Sequence, residues 1–278
     1  MARYLLYILF FLLFLLMTAC QETRFTEDKT FAGGVLASAD ELNLGMSVYT
    51  TYCLTWHGNE GDGKGISSKG STSPPRNFRL GIFKFGLVAS GELPHDQHLS
   101  KIIIGGLKGT SMLPWKLSEK EAHAVIQYIK TFSPTTWEGK DKSLGKAIIP
   151  GPDPFAPLNR LEAVYKGKIL YHVVAKCQNC HRGYMEKTEL AQKLPLDERI
   201  GEDYFALKPQ DSAFGDKITP PDFTVTELKS ANTLEELYVR IAAGIGGTKM
   251  TSLTDKLKNE ELWALAYYVY SLVESRPK

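Results

Sequence analysis

Cysteine and histidine side chains stand close together at two places in this chain of 278 residues. The better-formed group reads CQNCH, with Cys177 and Cys180 three positions apart and His181 directly after them. On a helical turn these offsets share one face, so two thiols and an imidazole can act on the same bound group. The spacing is a recognised signature of covalent haem attachment, in which the thiols bond to the vinyl groups and the imidazole ligates the iron.

Two other uses of a CxxC pair compete with haem attachment. A thioredoxin-like pair needs a βαβ setting, which the sequence around Cys177 lacks. A zinc half-site needs two more ligands, yet no further cysteine follows and the nearest other histidine, His172, lies upstream. Haem attachment is the interpretation that the pattern favours.

The first group, CLTWHG, keeps Cys53 and His57 but has Trp56 where a second cysteine belongs. Three interpretations stay open. The haem is held by Cys53 alone, the haem has been lost, or the tryptophan is a sequence error or mutation, since Cys and Trp codons differ in one base. Retention of Cys53, His57, the GDGKG segment and Met112 favours a haem attached by one thioether at most.

Two methionines are candidates for a second iron ligand. Met112 ends GLKGTSM and Met250 ends GIGGTKM, and each glycine-rich loop precedes a helix. A thioether is a soft ligand that suits Fe(II) and raises the reduction potential. The remaining histidines are weaker candidates. His95 and His98 offer bis-His ligation of the first iron, a packing or surface role suits His123 better, and His172 lies on the helix before CQNCH.

The elements that must position these groups occur twice along the chain. The two methionine loops match, PPRNF echoes PPDF, and Leu117–Lys130 aligns without gaps to Leu257–Tyr270. Such a long period indicates two copies of one domain rather than a solenoid. We predict domains at residues 38–132 and 160–273, joined by a Pro/Gly-rich linker at residues 133–159.

Helices are the predicted secondary structure, and the fold class is all-α. Spaced apolar residues predict amphipathic helices over Leu42–Tyr52 and Leu161–Ala175. Ser118 and Glu121 form a capping-box pattern, and Asn259 is a candidate cap for the equivalent helix. No alternating strand pattern of useful length is present.

The N-terminus has the pattern of a lipoprotein signal peptide at residues 1–19. Arg3 precedes a short apolar run, and MTAC resembles a bacterial lipobox whose cysteine, Cys20, is acylated. An uncleaved anchor is the alternative. Both interpretations predict that the chain is exported and tethered to a membrane on the periplasmic side. Gln21 favours the outer membrane. A net charge of +2 gives no case for nucleic acid.

Taken together, these motifs resemble the class I cytochrome c family, here as a tandem dihaem lipoprotein. The resemblance implies small all-α domains, buried haem c groups and one-electron transfer with a redox protein or respiratory complex as donor and acceptor. It implies His57 and Met112 as axial ligands of the first haem, and His181 and Met250 of the second. The second copy departs from the pattern, since it lacks GDGKG and carries an insert at Tyr184–Lys217.

Two alternatives to a dihaem electron carrier remain. A dihaem peroxidase-like enzyme also has two attachment motifs, but it requires one iron with an open position, and both irons here have a methionine candidate. A monohaem carrier with an empty first domain used for docking follows if Trp56 has abolished the first site.

Overall fold

The computed structural model describes residues 25–277, and helices dominate them, which confirms the predicted all-α class. The predicted signal peptide and Cys20 lie outside the described residues. The helices are α1 Ala39–Tyr52, α2 Leu54–His57, α3 Asp96–Gly105, α4 Glu119–Lys130, α5 Pro134–Trp137, α6 Arg160–Ile169, α7 Lys187–Ala191, α8 Leu234–Ala243 and α9 Asn259–Glu274. Among residues 25–277, none of these helices has the length and apolarity needed to span a bilayer.

Strands are confined, within the same residues, to two small antiparallel pairs. In the first pair, β1 (Lys29–Phe31) aligns Thr30 with Leu36 of β2 (Val35–Ala37). The second pair joins β3 (Gln210–Asp211) to β4 (Lys217–Ile218), inside the insert of the second half. Neither pair forms a layer of the core.

A close helix crossing organises each half of the chain. Helix α1 crosses α4 at Gly45, where an added Cβ would lie 2.1 Å from the Ala124 carbonyl oxygen. Helix α6 crosses α9 at Gly167 in the same way, 2.0 Å from the Ala264 carbonyl oxygen. Only glycine lets the two backbones approach this closely, so both crossings depend on it.

The start of α4 agrees with the sequence prediction, whereas the start of α9 differs from it. Ser118 and Glu121 form the expected capping box at the start of α4. Asn259 is not the cap of α9, contrary to our expectation, because Lys258 occupies that position. The Asn259 side chain instead accepts a hydrogen bond from Tyr238 and donates one to the Pro152 carbonyl.

The stretch predicted as a linker is packed against both halves. Its first residues form α5, and the fully buried Trp137 packs with Phe31 in a core beside α1. Further along, the Gly151 carbonyl accepts a hydrogen bond from the Trp263 indole, and Asp153 accepts one from Tyr267. Large aromatic groups at these places bury apolar surface, which a solvated linker would leave exposed.

Helix α6 ends earlier than predicted and continues as a π-helical turn over Leu170–Val174. The Ala175 amide closes this wide turn by donating to the Leu170 carbonyl at 2.8 Å. Lys176 follows with φ 51°, a left-handed conformation. A π-helical turn accommodates extra residues inside a helix, so it adds chain between α6 and the CQNCH group.

Hydrogen bonds join the two halves directly. The buried Arg240 guanidinium of α8 donates to the carbonyls of Gly86 and Phe85. Nearby, the Gly246 amide donates to the Lys84 carbonyl at 3.1 Å. The loop that carries Met250 is therefore held against residues 84–86 of the first half.

Candidate haem-attachment sites

The two cysteine–histidine groups adopt the same turn. In the first, the amides of Trp56 and His57 donate to the Cys53 carbonyl at 3.1 and 2.8 Å. In the second, the amides of Cys180 and His181 donate to the Cys177 carbonyl at the same two distances. Trp56 thus stands at the backbone position that Cys180 has in the second turn.

The histidine ring of the first turn is held in one orientation by a hydrogen bond and a stacked ring. His57 Nδ1 lies 3.0 Å from the Arg76 carbonyl oxygen, which can only accept, so Nδ1 carries the proton. Phe78 stacks on this ring with centroids 4.4 Å apart. Because the proton is on Nδ1, the lone pair is on Nε2, the atom that would ligate iron.

His181 is held by the equivalent residues of the second half. Phe223 stacks on its ring at 5.1 Å, and the Pro221 carbonyl favours its protonated form, as the Arg76 carbonyl does for His57. The contact at Nδ1 falls short of a full hydrogen bond. Burial lowers the pKa of both histidines to about 4, so both rings are neutral at pH 7 and able to bind a metal.

A buried tyrosine anchors the residue after each histidine. The Tyr49 hydroxyl donates to the Gly58 carbonyl at 2.7 Å, and the Tyr171 hydroxyl donates to the Arg182 carbonyl at 2.9 Å. Tyr49 precedes Cys53 by four residues, whereas Tyr171 precedes Cys177 by six. The π-helical turn takes up the difference, which explains why the sequence alone did not pair these tyrosines.

The two methionine loops have matching backbones. The Leu107 amide donates to the Met112 carbonyl at 2.9 Å, and the Ile245 amide donates to the Met250 carbonyl at 2.8 Å. Each methionine amide donates to a threonine hydroxyl at 3.1 Å. Both loops begin at a glycine of positive φ, Gly106 or Gly244, a conformation that glycine adopts without strain.

One cavity brings the candidate residues of the first half together. Cys53, Trp56, His57 and Met112 all line it, and most of its other walls are apolar, including Phe78, Phe83, Phe85, Leu99, Ile102, Ile103, Ile126 and Ile129. A thiol, a neutral imidazole and a thioether on the walls of an apolar cavity fit a haem. The assignment of Met250 to the second site rests only on the match between its loop and the Met112 loop.

Cys53 and Cys177 are free thiols whose burial keeps them protonated. Burial raises the pKa of Cys53 to about 11 and that of Cys177 to about 12. A zinc ligand or redox-active thiol instead needs a lowered pKa. Within residues 25–277, no group of three or more His, Cys, Asp and Glu side chains is arranged to hold a metal ion.

The remaining histidines have other contacts. His172 uses both ring nitrogens, Nδ1 toward the Lys168 carbonyl at 2.8 Å and Nε2 toward the Tyr184 amide at 3.0 Å. His95 lies 2.8 Å from the Gly145 carbonyl, and His98 Nδ1 accepts from the Leu87 amide. His123 contacts Glu41 on the surface. None of these four histidines lines the cavity of Cys53, His57 and Met112.

Comparison with known proteins gives one informative result. No protein-family model and no curated protein matches the chain. Among solved structures, the chain is similar to a chain of the "reducing HAO-like protein complex Kustc0457/Kustc0458" from Kuenenia stuttgartiensis, with 31% sequence identity and a TM-score of 0.67. The match covers 83% of this chain and 96% of the other. HAO-like denotes likeness to hydroxylamine oxidoreductase, and the shared fold is related to c-type cytochromes.

Proposed function

Because this chain belongs to the family of that HAO-like complex subunit from Kuenenia stuttgartiensis, we propose that it is an electron-transfer protein that carries haem c. The observation that carries the proposal is the pair of equivalent turns. Each turn presents a cysteine and a neutral histidine whose ring is stacked and oriented by residues of a PPRNF- or PPDF-type segment. Haem c, when bound, supplies an iron that changes oxidation state by one electron.

The proposal assigns two haems, each in its own domain. The domains are residues 38–132 and 160–273, with residues 133–159 packed between them. Cys177 and Cys180 hold the second haem by two thioethers, and Cys53 holds the first by one. His57 and Met112 would ligate the first iron, and His181 and Met250 the second.

The residues around the irons set the reduction potential. A thioether ligand and apolar walls both favour the reduced, less charged iron, because they cannot stabilise the extra positive charge of the oxidised form. The Arg76 carbonyl fixes the His57 ring and makes it a stronger ligand. The first site is therefore suited to accept and pass on single electrons, without an open position for substrate.

Partners and location follow from different observations. The matched chain is part of a protein complex, which supports a redox protein as the electron donor or acceptor of this chain. The MTAC pattern supports acylation of Cys20, export and attachment to a membrane on its periplasmic side. The electron carrier is thereby kept near membrane-associated partners.

Intact mass of the mature protein tests the haem content directly. Two haems and a lipid on one chain are the expected result. A mass with a single haem at the CQNCH group would leave a monohaem carrier with an empty first half. Catalytic turnover of peroxide would favour the peroxidase-like alternative.

Met250→Ala tests the axial ligand of the second iron. Loss of the soft ligand should lower the potential of that haem and open its sixth position to added ligands such as imidazole. Lys249→Ala, at the exposed neighbouring residue, is the matched control. A spectrum and potential identical to wild type in Met250→Ala would assign the ligand to another residue.

A further inference from the structure

Three cations line the same cavity as Cys53, His57 and Met112. Arg76 and Lys84 belong to the first half of the chain, whereas Lys229 reaches the cavity from the second half. The Lys229 ammonium donates to the Ser73 hydroxyl at 3.0 Å. Two halves of the molecule thus direct positive charge toward one apolar cavity.

In the described part of the chain, no carboxylate forms an ion pair with these cations. Within residues 25–277, none of the three makes an ion pair at 4.0 Å or less, and Asp216 is the one carboxylate that acts on Lys84. Burial, followed by repulsion from Arg76 and Lys229, lowers the pKa of Lys84 to about 8. Three cations close together without an ion-paired carboxylate repel one another, and an anion bound between them would relieve this repulsion.

An aromatic ring of the second half keeps two of the cations in place. The Arg76 guanidinium lies 3.7 Å from the centroid of the Phe214 ring, and the Lys84 ammonium lies 5.1 Å from it. Cation–π contacts of this kind orient a cation but leave its hydrogen-bond donors free. Phe214 belongs to the insert at Tyr184–Lys217, so this insert contacts two of the cations that line the first cavity.

We propose that Arg76, Lys84 and Lys229 bind the two propionate carboxylates of the haem in the first half, so that the second half completes this site. The inference rests on the proposed function, since it requires a haem there. A haem in an apolar cavity presents two carboxylates that need charged or hydrogen-bonding partners. Guanidinium and ammonium groups are the usual ones, and the lining residues offer these three.

The arrangement links the two candidate sites through one residue. The Lys84 side chain lines the first cavity, while its backbone carbonyl accepts a hydrogen bond from the Gly246 amide. Gly246 lies four residues before Met250 in the second methionine loop. Haem binding in the first half therefore also stabilises the contact between the halves.

Lys229→Gln and Lys84→Gln test the proposal in the haem-loaded protein. Each should shift the propionate bending band in the resonance Raman spectrum and lower the potential of the first haem, because a cation that opposes oxidation is lost. Lys101→Gln is the matched control: it removes the same charge from another contact between the halves, the Lys101–Glu236 pair at 2.9 Å. The control should move neither reading.

The outcomes separate this inference from the proposed function. Intact mass is measured first, and one haem per chain would contradict the first haem itself. Two haems with unchanged propionate bands in both variants would overturn the inference alone. Phosphate added to wild type at constant ionic strength should leave the first haem unaffected. A saturable shift that Lys229→Gln abolishes would instead make the cluster a site for free anions, which also overturns the inference.

Discussion

At the scale of single residues, Trp56 raises the question of how the first haem is held. Its backbone repeats that of Cys180, and its ring lines a cavity that also contains His57 and Met112. Trp56 offers no thiol at this position, but the turn and the cavity have the form that the second cysteine–histidine group and its partners lead us to expect. This geometry is compatible with a haem bonded to Cys53 alone.

Trp56→Cys should convert the first haem to ordinary two-thioether attachment. A haem with one thioether keeps one vinyl group conjugated with the macrocycle, so its reduced pyridine haemochrome absorbs to the red of a normal haem c. The variant should move this band to the normal position without changing the number of haems. A gain of one whole haem would show that the wild-type first half is an empty copy.

His172 is a buried histidine that the site does not use. It is fully buried, and burial lowers its pKa to about 4, below the ordinary value of 6.5. The unfolded chain therefore takes up a proton between pH 6.5 and 4 that the folded chain does not, and stability is lost as the pH falls through this window. The contribution is on the order of 3 kcal/mol when complete.

His172→Gln should reduce this acid sensitivity. The amide group of glutamine can still donate to the Lys168 carbonyl and accept from the Tyr184 amide, but it does not titrate. Urea unfolding at pH 7 and pH 4.5 measures the difference. An equal loss of stability in variant and wild type would mean that other groups cause the acid effect.

At the scale of helices, the two glycine crossings position the attachment turns. Helix α1 leads directly to Cys53, and helix α6 leads through the π-helical turn to Cys177. Each is held by its crossing with α4 or α9. A change at the crossing should therefore affect both the stability and the haem site.

Gly167→Ala should destabilise the second half by at least about 2 kcal/mol, because the new methyl group would overlap the Ala264 carbonyl. The control is Gly105→Ala at the end of α3, where an added Cβ meets nothing within 4 Å. There the higher helix propensity of alanine should make the change neutral or stabilising by up to about 1 kcal/mol. Urea titration of the haem-loaded proteins compares the two, and equal effects would contradict the crossing as the cause.

At the scale of the whole molecule, the two halves are joined as one unit rather than connected by a free linker. Arg240 bonds to backbone carbonyls across the boundary, and residues 133–159 pack on both sides. Halves held together in this way suit the proposed transfer of an electron between two haems, because packed halves limit changes in the distance between donor and acceptor.

Cys20→Ala tests how the molecule is placed in the cell. Without the lipobox cysteine, acylation and signal cleavage should fail, and the protein should be found soluble or unprocessed. Fractionation with N-terminal sequencing distinguishes these forms. Unchanged membrane association together with an unchanged N-terminus would refute the lipoprotein prediction.

Local patterns in the chain were enough to predict the all-α class, the α4 capping box and the two methionine loops, since each depends on residues a few positions apart. Long-range contacts were not predictable in this way. Arg76 meets His57 across 19 residues, and Lys229 meets Ser73 across 156. The internal repeat identified PPRNF as a segment common to both halves but predicted neither contact. Folding alone decides such contacts, because only packing of the two halves brings Lys229 to the cavity of the first.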